Sequence, residues 1–403
     1  MVFPMAGTAT ASQQPSTGSN HYPTSLSLPP SQIARLQPHA FLLAHLSPPA
    51  SSNQPSLRAN GRSPAEFRVT SANSGSLTQT NGSAVVRIGD TAAVCGVRAE
   101  LLYTQDIASW GVSKSAQGEE ADVKQPGNGD EEDDSQVRDL HLLVPNLSLS
   151  TGCAPGFIPG APPAALAQSL SHQLLSLLHT SHIVSANDLR IWYHPPDLSA
   201  LERETGSDEQ MDTREEGSGT SESGTSEVKA FWVLYIDVLI ISLAGNPFDA
   251  AWTAVLAALR DTRLPRAWWD VDNDMVLCSD DASEAKKLNL RGMPIASSYC
   301  VFEADPAASW RPVIIPEASR ENDVQGKTPD QQSWILADPD GFEENLCQER
   351  ICVVVDQDRG GKTKILRIEK NGGLSVGKEE LRKLVDSSVD RWNHLKGIIE
   401  ALG

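Results

Sequence analysis

The sequence predicts an α+β fold of the two-layer kind, and three stretches predict it. Ala230–Leu243 is almost wholly apolar, β-branched or aromatic, with only Asp237 charged and Ser242 as a second polar interruption. That is the composition of a central strand covered on both faces. Gly245-Asn246-Pro247 then forces a turn, after which Ala250, Ala251, Ala254, Val255, Ala258 and Leu259 recur at helical spacing. The chain closes on one amphipathic helix, Val376–Leu402, with Leu381, Leu384, Val385, Val389, Trp392, Leu395, Ile399 and Leu402 along its apolar side. Strand-rich halves, each followed by a helix, give the two-layer arrangement.

Residues 1–30 are rich in Ser, Thr, Pro and Gln, cannot offset their own ordering entropy and read as a disordered tail. Ser31 caps a short amphipathic segment broken at Pro38. Ala84–Ile88, the Gly89-Asp90 turn and Ala92–Val97 form a hairpin, with Asn81-Gly82 as a separate turn ahead of it. Leu140–Leu149 and Leu189–Tyr193 are strands, and Ala164–His179 is a helix introduced by Pro162-Pro163. In the second half, Ala296–Phe302, Trp334–Ala337, Ile351–Asp356 and Thr363–Glu369 are strands. Gly360-Gly361 turns between the last two. Residues 31–403 therefore read as a single domain, with core 61–262 and 294–403. Hydrophilic inserts interrupt it at about 115–136, 199–228 and 319–332.

The net charge of −19 over 403 residues would disfavour nucleic acid if it were spread evenly. It is not: Ser115–Gln136 carries −7 and Leu201–Lys229 carries −6, leaving −6 for the rest. Such inserts cannot build a packed core, so deleting Glu119–Asp134 or Glu202–Glu227 is expected to change thermal stability little. Six scattered cysteines with no CxxC pair read as buried free thiols in a reducing compartment. No apolar run is long enough to span a bilayer and no signal-peptide core opens the chain, so a soluble intracellular protein is expected. Trp252, Trp268, Trp269 and Trp310 are expected to form exposed aromatic patches at an interface.

Several motifs mimic chemistry without supporting it. Asp270, Asp272 and Asp274 imitate the opening of a calcium loop, but Met275 stands where the sharp turn needs glycine and Asp281 replaces the closing glutamate. Gly361-Lys362-Thr363 imitates the end of a phosphate loop, but Asp356 takes the first glycine position and a strand follows. There is no His-Glu-x-x-His and no nucleophile elbow, so no metal or cofactor is expected. The turn Ala244–Asp249 is itself unsuited to phosphate: Pro247 has no N–H, and Asp249 reads as the N-cap of the following helix.

Asp237, the apolar run, and Gly245-Asn246-Pro247-Phe248-Asp249-Ala250-Ala251 together resemble the RNase PH-like subunits of the RNA exosome ring, specifically the non-catalytic branch. A second block agrees in order and spacing: Gly61-Arg62, Glu66-Phe67-Arg68, Gly82-Ser83-Ala84, Gly89-Asp90-Thr91 and Cys95-Gly96-Val97. Asp338-Pro339 and Glu343-Glu344 resemble the family's second domain. The resemblance implies an RNase PH-like fold of the ribosomal protein S5 domain 2-like type. It also implies that Asn246, Pro247, Phe248 and Asp249 are a degenerate phosphate site, with Phe248 at the position of the phosphate-holding arginine. Arg350 falls where the active branch has its catalytic aspartate, while Glu344 keeps a carboxylate.

By the same resemblance, the chain is a catalytically inert ring subunit supporting 3'-5' RNA processing: rRNA maturation, mRNA turnover and RNA surveillance. Its implied partners are other RNase PH-like subunits in a hetero-hexameric ring, S1/KH cap subunits, an exosome-associated nuclease and RNA, with no membrane. The implied location is nucleus and nucleolus, also cytoplasm. Arg58, Arg62, Arg68, Arg87 and Arg98 cluster in the least acidic part of the chain. Together with Arg350, some of them line an RNA path on one reading and pair with acids at subunit contacts on the other. Two other functions stay open, an active phosphorolytic exoribonuclease of the same fold and a free acidic scaffold.

Overall fold

The computed structural model describes residues 28–49, 54–108, 110, 129–160, 162, 164–193, 195, 226–304, 333–358, 361–372 and 377–402. Residues 1–27 of the expected tail, 115–128 of the first insert, 199–225 of the second and all of the insert at 319–332 lie outside them, as does Trp310, while Pro30 at the end of the expected tail is helical. The chain divides into two compact units, Met1–Asn60 and Gly61–Gly403. The first contains helices α1 (Pro30–Leu36) and α2 (Pro38–Leu46), each opened by a proline whose missing N–H is not needed there. The break at Pro38 stands, but Pro29 is the N-cap of α1 and Ser31 lies inside its first turn.

In the second unit, β1 (Thr70–Ser74), β2 (Gly82–Ile88), β3 (Thr91–Tyr103), β4 (Leu143–Leu149), β5 (Arg190–Tyr193) and β6 (Glu227–Ser242) form one sheet in the order β1-β2-β3-β6-β4. β6 is its centre. It pairs antiparallel with β3 over twelve registered positions, Ala92↔Ser242 to Tyr103↔Ala230. On its other side it pairs parallel with β4 and antiparallel with β5. Only its first half is covered on both faces. From Tyr235 the strand alternates, and Asp237, Leu239 (40% exposed) and Ile241 (50% exposed) turn outward. The unbroken apolar run hid that alternation, because the outward positions are apolar too.

Helices α3 (Gly129–Asp139), α4 (Ala165–Ser181), α5 (Ala186–Leu189) and α6 (Pro247–Asp261) belong to this half. Two small pairs, β7 (Arg263–Leu264) with β10 (Lys286–Lys287) and β8 (Ala267–Asp270) with β9 (Met275–Cys278), connect it to the second sheet. That sheet is antiparallel throughout. It is built from β11 (Ile295–Glu303), β12 (Ser333–Ala337), β13 (Glu349–Gln357) and β14 (Thr363–Asn371) in the order β12-β11-β13-β14. Helix α7 (Gly341–Glu344) precedes β13, and α8 (Lys378–Glu400) ends the described chain.

Helix α6 lies against β2 and β3 of the first sheet and β11 of the second. Twelve of its fifteen residues are buried, so it is apolar all round, as a helix packed on both sides must be. Its alanines allow close approach, and β2 meets it just as closely: a Cβ on Gly82 would lie 2.6 Å from the Ala258 carbonyl oxygen. Trp252 fills the gap toward the second sheet and donates Nε1–H to the Pro294 carbonyl at 2.7 Å.

Two expectations are corrected. Trp252 and Trp269 are core residues and only Trp268, 42% exposed, faces solvent; an aromatic interface patch built on all of them does not exist among the described residues. The acidic insert is not wholly without packing either, because residues 129–136 lie in α3. Asp133 of that helix is buried, accepts from Arg291 Nη2 (2.9 Å) and the Ser185 hydroxyl, and lies 3.0 Å from Arg190 Nη2. Val137 enters the core. Arginines outside the insert hold the helix, and composition of the insert alone cannot reveal them. Deleting Glu119–Asp134 would therefore remove a buried ion cluster.

The mimics resolve as expected. Asp270–Asp274 is the tip of the β8–β9 hairpin, and Asp358–Lys362 closes the β13–β14 hairpin through the hydrogen bond from Asp358 N–H to the Lys362 carbonyl.

Candidate functional site

The turn between β6 and α6 is where the chain's most buried charges meet. Gly245 adopts φ +91°, and a Cβ there would lie 2.4 Å from the backbone of Asp340 and Gly341, so the two loops touch and only glycine fits. Asn246 follows at φ +47° and is the N-cap of α6, with Pro247 in the first turn. Asp249 is therefore not the cap. It stands one turn in, fully buried, and its carboxylate accepts from Ser298 N (3.0 Å), Ser298 Oγ (2.6 Å), Asn246 Nδ2 (2.9 Å) and Arg391 Nη1 (2.8 Å). Arg391 comes from α8, and its guanidinium rests 4.4 Å over the Phe67 ring.

Asp338, also fully buried and at φ +47°, holds the other side. Arg68 donates to it from Nη2 (2.7 Å), Nε (2.8 Å) and its backbone N–H (3.0 Å), and Asn246 Nδ2 adds a bond of 2.7 Å. The same Arg68 guanidinium reaches the carbonyls of Ala244 (3.1 Å) and Gly245 (3.2 Å), and thereby clasps the turn. Burial disfavours the charged form of Asp338, but Arg68, Arg391 and Asn246 outweigh it and hold the carboxyl well below the usual carboxylate range. Arg62 donates to the Asp338 carbonyl from both terminal nitrogens at 3.2 Å and lies 3.8 Å from buried Glu343. Glu343 closes a capping box with Asp340 at the start of α7.

The next residue, Glu344, accepts the N–H of Asn246 at 3.0 Å. A helix N-terminus is a ready anion site. Here the protein supplies its own anion. Burial pushes the Glu344 carboxyl up, more than Arg350, the Asn246 N–H and Arg68 pull it down. Glu344, Arg350, Asn246, Pro247 and Phe248 line one cavity of about 150 Å³, so the positions singled out in the sequence do come together. The arginines do not. Arg58 is buried, Arg68 is half-buried and committed to Asp338 and the turn carbonyls, and Arg62 is spent on Asp338 and Glu343. Arg98 lies on the outer face of the first sheet between Glu100 and Asp237, Arg87 pairs with Asp90, and only Arg350 opens onto the cavity.

Residues 66–265 match the 3' exoribonuclease family, domain 1. An archaeal exosome structure from Archaeoglobus fulgidus, with RNA bound to the active site, superposes over 89% of this chain and 96% of its own at TM-score 0.50 and 18% identity. This is an RNase PH-like fold. The RNase PH-like likeness extends in sequence beyond the first domain. The chain is 27% identical to exosome complex component rrp43 of Schizosaccharomyces pombe, over 90% of this chain and 94% of that one. It is 22% identical to exosome complex component Rrp42 of Methanothermobacter thermautotrophicus, over 82% and 88%. A putative exosome complex exonuclease RRP42 of Dictyostelium discoideum is 24% identical over 59% and 69%.

Within the RNase PH-like frame, Ser298 and Arg391 are the site residues that sequence reasoning missed. Arg391 had a signal. With Leu384, Ser388 and Leu395 it falls on the buried stripe of α8, where a lone arginine requires a buried acid.

Proposed function

We propose that this chain is a non-catalytic ring subunit of the eukaryotic RNA exosome, of the kind of exosome component 8. In this reading it supports RNA processing and degradation through assembly and RNA threading. One observation carries the inertness: the amide that opens α6 is occupied by Glu344, while Phe248 stands where the resemblance places the phosphate-holding arginine. With its anion position filled from within and Phe248 in place of the arginine, the turn itself supplies no cation to orient phosphate against RNA, and among the described residues Arg350 is the one cation lining the cavity beside it. Similarity to exosome components along most of the chain supports the ring role. Its partners are then other RNase PH-like subunits, S1/KH cap subunits and an associated nuclease, working in nucleus, nucleolus and cytoplasm.

The test has two parts. Co-expression with RNase PH-like subunits should give a defined assembly; a monomer that ignores them on size exclusion would favour the acidic scaffold. Purified protein should leave single-stranded RNA intact with phosphate and magnesium. Release of nucleoside diphosphates, abolished by Glu344→Gln, would instead establish the active reading, which the Glu344–Arg350 cavity favours.

A further inference from the structure

Helix α6 has a second end, about 20 Å from Asn246 at 1.5 Å rise per residue. There Arg260, Lys287, Arg291, Lys364 and Lys396 line a groove of about 670 Å³ between α8, the β13–β14 hairpin and the segment 287–293. On a chain of net charge −19, five cations around one groove need an explanation. We propose that this groove binds the phosphate backbone of single-stranded RNA, independently of base sequence.

The charge balance supports it. Three carboxylates share the groove, and each is already engaged. Asp356 Oδ1 is held by the N–H groups of Met293 (3.2 Å) and Gln357 (2.8 Å). Asp358 lies 3.7 Å from Lys364 and Glu400 3.9 Å from Lys396, both solvent-exposed pairs that an incoming phosphate can displace at small cost. Arg291 is tied to Asp133 and Asp134. Arg260 and Lys287 have no carboxylate partner among the described residues, so the groove keeps an excess of positive charge.

The lining also selects the ligand. A protein partner would need open apolar anchors. Of the apolar groups lining this groove, Leu256, Leu288, Trp392 and Ile399 are buried and Leu290 and Met293 half-buried, and Trp392 spends its N–H on the Met293 carbonyl at 2.8 Å. No aromatic face is open for bases to stack on. Lysine and arginine tips on a rigid floor recognise phosphates, which position a strand without reading it. Naming RNA rather than another polyphosphate rests on the exosome reading; the groove's preference for a phosphate polymer does not.

The test uses the full chain and a fluorescein-labelled 20-nucleotide RNA of mixed sequence, followed by anisotropy across a salt series, with 4-thiouridine crosslinking to locate the bound strand. The triple variant R260E/K287E/K364E should lose at least about tenfold in affinity and lower the salt slope by about 2–3, roughly one for each phosphate that no longer meets a cation. Arg266→Glu, an exposed cation away from the groove, should change neither. Crosslinks should fall in 287–293 and near Lys364, and oligo(U) and oligo(A) should bind alike. An unchanged affinity and slope in a triple variant that still melts normally would overturn the proposal. So would displacement of RNA by polyglutamate as readily as by unlabelled RNA. The variant should still join RNase PH-like subunits; failure of the variant alone to assemble would make the groove a subunit contact. Failure of the wild-type chain to assemble would count against the exosome reading and leave the RNA measurement interpretable.

Discussion

The two ends of helix α6 solve opposite problems with the same kinds of residue. At Asn246, three arginines and four acids are sealed together, with Asp249, Asp338 and Glu343 fully buried. Their partners lie within the chain, and of the three guanidiniums only Arg391 keeps a buried nitrogen, Nη2, without a hydrogen-bond partner among the described residues. At Arg260, five cations stand around an open groove whose carboxylates are few and already engaged. Charge density alone therefore does not mark a binding site. What separates the two ends is whether the charges are satisfied internally, which is decided by side chains arriving from distant parts of the sequence.

The largest effect that would test this contrast is at the closed end. Arg391→Met should cost about 3–5 kcal/mol in urea unfolding, because it leaves Asp249 buried beside its remaining neutral donors. A loss below about 1 kcal/mol would mean the network is wet and open. The acid limb of stability comes next. Asp338 is depressed in the fold, so its contribution is complete above the ordinary aspartate value of 3.8 and is lost as pH falls below it. Asp338→Asn should be less stable at pH 7 and lose less between pH 5 and 3 than the parent.

Asp133→Ala, which unlatches α3 from Arg190 and Arg291, should cost about 1–3 kcal/mol by thermal unfolding; no change would restore the view of that insert as inert. Glu344 shifts the other way. Its raised carboxyl makes the fold favour the neutral form, so that stability is present at low pH and lost as pH rises through the folded value. Glu344→Gln, which keeps an acceptor for Asn246, should melt at the same or a slightly higher temperature at pH 7.5. Smallest of all is the open end, where R260E/K287E should shift stability by no more than about 0.5 kcal/mol while changing RNA affinity.

The contrast also explains what the sequence could tell. The β6–turn–α6 unit was legible because its signals are local: an apolar run, Gly245-Asn246-Pro247 and helically spaced alanines. Asp249 was legible as an acid in the right turn but not in its role. Its partners Ser298 and Arg391 are 49 and 142 residues away, and no local pattern announces them. Helix α3 was missed for the same reason, since Asp133 looks like any other acid in a run until Arg190 and Arg291 close on it. Trp252 was misplaced because a tryptophan among alanines fits an interface as well as a core, and only the second sheet settles which. The basic groove left no motif at all: Arg260, Lys287, Lys364 and Lys396 are each ordinary surface residues in sequence.

The closed network has a consequence for how the chain is made. Its members are spread from Arg62 to Arg391, so during synthesis Asp249 is complete long before the guanidinium that neutralises it. Until α8 emerges, any compact state that buries this turn carries an uncompensated carboxylate, a penalty of several kcal/mol against a total stability of only about 5–15. Partly made or C-terminally clipped chains should then stay open to chaperones and proteases. The buried charges act as a proofreading step: they let the core close only around a chain that has been finished.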